Sequence, residues 1–261
     1  VPFLDVNGTA FHYHQRGDGP VAVFIHGFPF DGTMWIEQLE EAAGLRRAIA
    51  IDLRGFGRSD RSTRPVLTME DHADDLAAFL EKSSVVTPVD VVGLSMGGYI
   101  ALAFAQRYPD RIRSLALIDT RATADSEEAK AGRDVAAALV VREGRSALAA
   151  SMLDLLVADQ ASPWTRARVR TMIEGTPTET IVAALEGMKQ RPDRTQVLVR
   201  VQAPVAVIVG EHDRLASVSE ATEMATTADA ALTVVTGAGH MAPIEQPAAV
   251  AAALRALFIA Q

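Results

Sequence analysis

A chain of 261 residues, 49% hydrophobic and 22% charged, suits one hydrophobic core with an inserted subdomain and has the balance of a globular protein, not a disordered one. Its formal charge of -8 repels phosphate backbones and anionic lipid, so nucleic acid and membrane surfaces are not expected partners, and no basic cluster offsets this. Cysteine is absent, which excludes disulfides, thiolate metal sites and a cysteine nucleophile.

The first residues, Val1 to Asp5, carry neither a positive n-region nor an apolar h-region. No apolar run reaches the roughly 18–20 residues that span a bilayer, so the expected location is the cytoplasm. Phe3–Val6 and Phe11–Gln15 read as strands joined by Asn7-Gly8, the strongest short-range hairpin signal. The runs Val21–Ile25, Arg47–Ile51, Val89–Val92, Leu115–Ile118, Val205–Val209 and Leu232–Val235 are mostly apolar without clean alternation. That is the pattern of strands buried on both faces of a parallel sheet. Helix-period segments lie between them at Thr33–Glu41, Met69–Lys82, Met96–Arg107, Ser217–Thr227 and Pro247–Ile259. The alternation predicts an α/β fold with a mostly parallel, doubly wound sheet.

Residues 121–200 break this alternation. They read as four or five helices, interrupted at Gly144, Ser162-Pro163, Thr176-Pro177 and Pro192, and the strand pattern resumes at Val205. About 80 residues is too long for one crossover, so the expectation is a core of residues 1–120 and 201–261 with a helical cap inserted at 121–200.

The strongest chemical signal is Val91-Val92-Gly93-Leu94-Ser95-Met96-Gly97-Gly98-Tyr99. A strand runs into Gly-Leu-Ser-Met-Gly and then into a helix. A nucleophile at such a corner sits in strained backbone geometry, and its neighbours two positions away on either side crowd each other, so Gly93 and Gly97 are needed where a Cβ would clash. The turn exposes the Ser95 hydroxyl and aims the Met96 N–H at a helix N-terminus, where anions are favoured.

The Gly-Leu-Ser-Met-Gly-Gly turn resembles that of the α/β-hydrolase superfamily. Four other segments match in the expected order: His26-Gly27-Phe28-Pro29, Asp52-Leu53-Arg54-Gly55-Phe56-Gly57-Arg58-Ser59-Asp60, Gly210-Glu211-His212-Asp213 and Gly237-Ala238-Gly239-His240-Met241. The resemblance spans the chain outside the cap and implies an α/β-hydrolase fold.

A serine hydroxyl needs a base that takes its proton and returns it to the leaving group, and only histidine titrates near neutrality unperturbed. Of six histidines, His12 and His14 share a face of an early strand and are expected to be structural or solvent-facing. His26 is expected to shape its loop, His72 to be a polar surface residue, and His212 to point away if Asp213 faces the site. His240 remains, in a glycine-rich loop after the last strand, and its family counterpart is the catalytic base.

Asp213 ends a strand at the carboxyl edge of the sheet, and the order Ser95, Asp213, His240 is the one expected of this superfamily. Asp119, after the Leu115–Ile118 strand, is its rival. The resemblance assigns the oxyanion hole to the backbone N–H groups of Phe28 and Met96, where one donor is worth on the order of 3 kcal/mol. Asp52–Asp60 is read as architectural, with Arg54 or Asp60 bracing neighbouring loops.

Met152, Trp164 and Met188 of the cap, with Phe28, Leu215 and Met241 of the core, are candidates for an apolar substrate pocket. Arg142, Arg145, Arg166, Arg168, Arg170, Arg191 and Arg194 read as scattered and solvated. The expected activity is hydrolysis of small to medium, largely apolar carboxylic esters through an acyl-enzyme, with no cofactor or metal. Lactonases and enol-lactonases, carbon–carbon bond hydrolases, amidases and perhydrolases share the same three residues. A hydrolase-fold receptor for small ligands is the alternative outside enzymes. Epoxide hydrolases and haloalkane dehalogenases have a similar His-Gly-Phe-Pro loop, but they require an aspartate where Ser95 stands. The oligomeric state is not legible.

Overall fold

The computed structural model describes residues 2–260. The chain forms β1 (Phe3–Val6), β2 (Thr9–Arg16), β3 (Val21–Ile25), α1 (Ile36–Ala42), β4 (Arg47–Ile51), α2 (Met69–Lys82), β5 (Val89–Leu94), α3 (Met96–Arg107) and β6 (Ile112–Ile118). Five helices follow without a strand: α4 (Glu127–Glu143), α5 (Arg145–Leu156), α6 (Pro163–Gly175), α7 (Thr178–Lys189) and α8 (Thr195–Arg200). The alternation resumes with β7 (Val205–Gly210), α9 (Val218–Thr227), β8 (Ala231–Val235), α10 (Ala242–Glu245) and α11 (Pro247–Ile259).

All eight strands join one sheet in the order β1-β2-β4-β3-β5-β6-β7-β8. The β1–β2 and β2–β4 pairings are antiparallel and the others parallel. The opening hairpin follows from its turn. Val6 pairs with Thr9, and the two residues between them, Asn7 and Gly8, have φ of 54° and 77°. Those left-handed values suit the twist of flanking strands and are tolerated best by asparagine and glycine.

The central strands β3, β5 and β7 are buried along their whole length, which is why their sequences lack alternation. Helix α3 lies against β5, and every residue from Met96 to Ala105 is buried. Each Val, Leu or Ile so buried contributes on the order of 1.5–3 kcal/mol. The chain passes from β3 to β4 on one side and then crosses back through α2 to β5 on the other. The strand order therefore reverses between β3 and β5, where the carboxyl ends of adjacent strands diverge into a crevice.

The loop after β4 is architectural, as its composition suggests. The Asp52 carboxylate accepts from the Gly32 N–H at 2.7 Å, the Arg58 N–H at 2.8 Å and His12 Nδ1 at 2.7 Å. Asp60 accepts from the Ala10 N–H at 2.8 Å, and Arg54 pairs with Asp75 of α2. His26 also braces this region: its Nδ1 meets the Gly27 carbonyl at 2.8 Å and its Nε2 accepts from the Leu53 N–H at 3.1 Å.

His72 corrects one expectation. It is not a surface residue but lies on the buried face of α2 with Met69, Ala73, Leu76 and Leu80, so the helical stripe that looks apolar includes an imidazole. Its ring packs 6.3 Å from that of Phe56, and neither ring nitrogen has a hydrogen-bond partner. Burial, reinforced by His26, lowers its pKa to about 3.

The unfolded chain therefore binds a proton below about pH 6.5 that the native protein refuses until about pH 3, so stability is lost as pH falls through that window. A His72→Leu variant should show a shallower loss. Urea unfolding at pH 6.5 and pH 5 should separate it from the wild type by about 2 kcal/mol over that interval, in favour of the variant. Identical pH slopes would refute the buried neutral imidazole.

Candidate active site

Ser95 sits between β5 and α3 with φ 53° and ψ -115°, a conformation that non-glycine residues rarely adopt. Its neighbours explain why the chain accepts it. A Cβ on Gly93 would overlap the Gly97 carbonyl, and a Cβ on Gly97 would overlap the Ile25 carbonyl at the end of β3. Ser95 is the one residue from Val91 to Ile100 that is not buried. Its own N–H donates to the Ile118 carbonyl at 2.9 Å, and its carbonyl accepts from the Thr120 hydroxyl at 2.7 Å. The hydroxyl thus stands on a corner held from both sides.

His240 and Asp213 come from loops after β8 and β7. His240 Nδ1 lies 2.8 Å from Asp213 Oδ2, and both side chains are buried. The other Asp213 oxygen accepts from the Leu215 N–H at 2.7 Å and the Ala216 N–H at 3.0 Å. Burial pushes the Asp213 pKa up, but the facing imidazole and these N–H groups outweigh it and hold the carboxyl below its usual range.

Asp119, the rival acid, does something else. Its carboxylate accepts from the Gly210 N–H at 2.7 Å and the Ala242 N–H at 3.3 Å, joining the end of β7 to the start of α10. Burial, then repulsion from Asp213, raises its pKa well above the carboxylate range. Glu245 has a similar role that sequence reasoning missed. It accepts from the Ala158 N–H at 2.8 Å, the Gly239 N–H at 2.9 Å and the Met241 N–H at 3.2 Å, so it grips the His240 loop from both sides. The only hint in the sequence is its place five residues beyond His240 in a short Pro-containing segment.

Ser95 and His240 line one cavity of about 350 Å³ between the sheet edge and the inserted helices. Phe28, Met152, Met188 and Leu215 line it too, as expected. Trp164 does not: it is 64% exposed, with the Arg168 guanidinium 5.3 Å from its ring centre. Met241 is not in the wall either; it is fully buried behind the His240 loop. Both errors have one cause, that helical or loop position marks a side chain as apolar without telling which surface it meets.

Two of the arginines read as solvated are also corrected. Arg191 is buried against Asp125 at 2.6 Å, and Arg194 is buried with Glu70 as its partner. Arg121, Arg133 and Asp125 are cavity residues that sequence reasoning passed over.

The α/β-hydrolase fold family model matches residues 20–247. The chain belongs to that family. An esterase from Thermogutta terrifontis, solved with malate bound, is 37% identical, with a TM-score of 0.95 over 100% of this chain and 99% of that one. The enol-lactonase from Burkholderia xenovorans LB400 is 28% identical, with a TM-score of 0.90 over 100% of both chains. Among curated proteins, the dihydrolipoyllysine-residue acetyltransferase component of the acetoin cleaving system of Cupriavidus necator is 28% identical over 254 residues, 94% of this chain and 65% of that protein. The chain spans less than two thirds of the length of the curated relatives it matches first, 38% in the case of a Shewanella oneidensis decarboxylase. No helix among the described residues is long and apolar enough to cross a membrane.

The squeeze at the corner is directly testable. Gly97→Ala forces a methyl against the end of β3, so it should destabilise the fold by roughly 1–3 kcal/mol, read as a lower urea midpoint. An unchanged midpoint would mean that the corner is not held by this contact.

Proposed function

We propose that this α/β-hydrolase cleaves carboxylic esters through an acyl-enzyme on Ser95. The observation that carries the reading is a strained, partly buried serine lining one cavity with an imidazole whose far nitrogen is fixed on a buried carboxylate. With Nδ1 donating to Asp213, Nε2 is the nitrogen free to accept the Ser95 proton. The serine oxygen attacks the ester carbonyl, His240 takes the proton and passes it to the leaving alkoxide, and water repeats the sequence to release the acid. Asp213 keeps the tautomer and stabilises the imidazolium without taking the proton.

The developing oxyanion falls to the Phe28 and Met96 N–H groups. Gly93 of β5 pairs with Ile25 of β3, so the loop carrying Phe28 and the start of α3 lie side by side at the crevice where the strand order reverses. Among the described residues neither amide has another partner, which supports their use as donors. Phe28, Met152, Leu155, Leu156, Leu185, Met188 and Leu215 supply an apolar wall for a small to medium acyl or alcohol group. The likeness to an esterase and an enol-lactonase supports an oxygen-ester bond, open or cyclic, with the same steps for both. The reading needs neither metal nor cofactor.

A fluorophosphonate should label Ser95, and Ser95→Ala should lose both the label and 4-nitrophenyl ester turnover by at least about a thousandfold. Labelling elsewhere, or multiple turnover by the alanine variant, would refute the nucleophile. Asp213→Asn should cost about 10³- to 10⁴-fold in kcat, because it sets the wrong tautomer, and Asp119→Asn only about tenfold. The reverse ranking would transfer the orienting role to Asp119.

A further inference from the structure

The cavity wall away from the sheet is not apolar throughout. Arg133 of α4 lines it, and its side chain is largely buried. The guanidinium gives Nε to Asp125 Oδ2 at 2.5 Å and one terminal nitrogen to Asp125 Oδ1 at 3.2 Å. The other terminal nitrogen meets the Met188 sulfur at 3.2 Å, and the Tyr99 hydroxyl is a further side-chain partner of the guanidinium. A guanidinium carries five N–H groups and a thioether is a weak acceptor, so Asp125, Met188 and Tyr99 leave this cavity-lining cation with donor capacity to spare.

Asp125 does not neutralise the group, because it also holds Arg191 at 2.6 Å. Two guanidinium groups around one carboxylate leave a surplus of one positive charge. Arg191 lies 3.9 Å over the ring centre of Tyr99, itself a cavity residue. Burial pushes the Asp125 carboxyl up, but Arg133 and Arg191 overcome this and keep it ionised below its usual range. The remaining lining cation, Arg121, is 3.5 Å from Glu220 and is offset there. Asp119, the other carboxyl lining this cavity, is pushed well above its usual range by burial and by Asp213, so it does not cancel the surplus cation that this chain of net charge -8 keeps in the wall.

Tyr99 stands one helical turn beyond Ser95 on α3, roughly 6 Å along the axis. We propose that Arg133, backed by Arg191 and Tyr99, is a carboxylate subsite, so that the preferred substrates are esters or lactones carrying a free acid group a few carbons from the bond that is cut. A single surplus charge in a cavity of about 350 Å³ fits a carboxylate better than a dianionic phosphate. This assignment rests on the ester-hydrolase reading of the same cavity, and it replaces a uniformly apolar pocket with one that is apolar along its sides and cationic at one end.

Matched substrates test it. Mono-4-nitrophenyl glutarate is compared with 4-nitrophenyl 5-methylhexanoate, in which two methyl groups replace the acid oxygens. 4-Acetoxybutyrate against 4-methylpentyl acetate places the acid on the alcohol side instead. In at least one pair the acid should have the higher kcat/KM, and in Arg133→Gln that preference should fall by about tenfold to a hundredfold, mainly through KM. Arg133→Lys, which keeps the ion pair with Asp125, should restore part of it. Neutral esters preferred in both pairs, or equal losses on acid and neutral partners, would overturn the subsite and leave the hydrolase reading intact.

Glutarate binding, followed by calorimetry on wild type and both variants, separates the two ideas from the other side. Binding that is lost in Arg133→Gln and kept in part in Arg133→Lys, on a protein that turns over no ester, would uphold the subsite and sink the hydrolase. Binding unaffected by either substitution would refute the subsite.

Discussion

The close approach of Gly97 to the end of β3 is the contact on which the site is built. With no Cβ between the α3 backbone and the Ile25 carbonyl, the first turn of the helix settles onto the strand ends, and Gly93 in turn accommodates the Gly97 carbonyl. Ser95 is then forced to a positive φ, at a cost of about 1–3 kcal/mol. The fully buried β3, β5 and first ten residues of α3 offset that cost many times over. The same approach sets the Met96 N–H beside the Phe28 loop, so one steric fact positions the proposed nucleophile and both proposed oxyanion donors.

Around the imidazole the difficulty is electrostatic, because three carboxyl groups converge on it. Asp213, Asp119 and Glu245 would repel one another if all were charged in a dry site. The fold separates them by environment. Asp213 faces the imidazole and two N–H groups and stays below its usual range, while burial and the Asp213 charge raise Asp119 and burial raises Glu245 despite its N–H partners. The last two spend their acceptors on backbone N–H groups of the loops that carry Asp213 and His240. One carboxyl is left to hold the imidazole and two hold the loops in place.

The sheet was legible because its signals are local: an Asn-Gly turn fixes a hairpin, and unbroken Val and Ile runs mark strands covered on both faces. The corner at Ser95 and the meeting of His240 with Asp213 were legible because each residue follows a strand of the sheet in a motif with a steric or chemical reason. What sequence could not give is which surface a helical side chain meets. The long helix α4 buries only Val140 fully, so its pattern does not single out Arg133 as a cavity residue. Trp164 and Met241 looked like pocket residues and point to solvent and to the core, while His72 looked polar and is enclosed. These are tertiary facts, set by how the inserted helices lie on the sheet, and a periodicity of 3.6 residues carries no information about them.

Arg191 shows why the cluster around Asp125 behaves as a unit. Arg133 paired with Asp125 alone would be a closed, neutral ion pair with nothing left to attract an anion, and its burial would bring little net stability. The second arginine changes the balance: it satisfies Asp125 from the other side, stacks on Tyr99 and returns the surplus charge to the pair. The three residues come from the segment after β6, from α4 and from the turn after α7, so the ion pairs that carry the charge also tie the inserted helices together at the cavity wall. Tyr99 connects them to the helix that begins at Ser95. In the proposed reaction, a negative group held at that wall would be fixed relative to the reacting carbonyl through rigid elements, which is the geometry that turns binding energy into orientation at the bond to be broken.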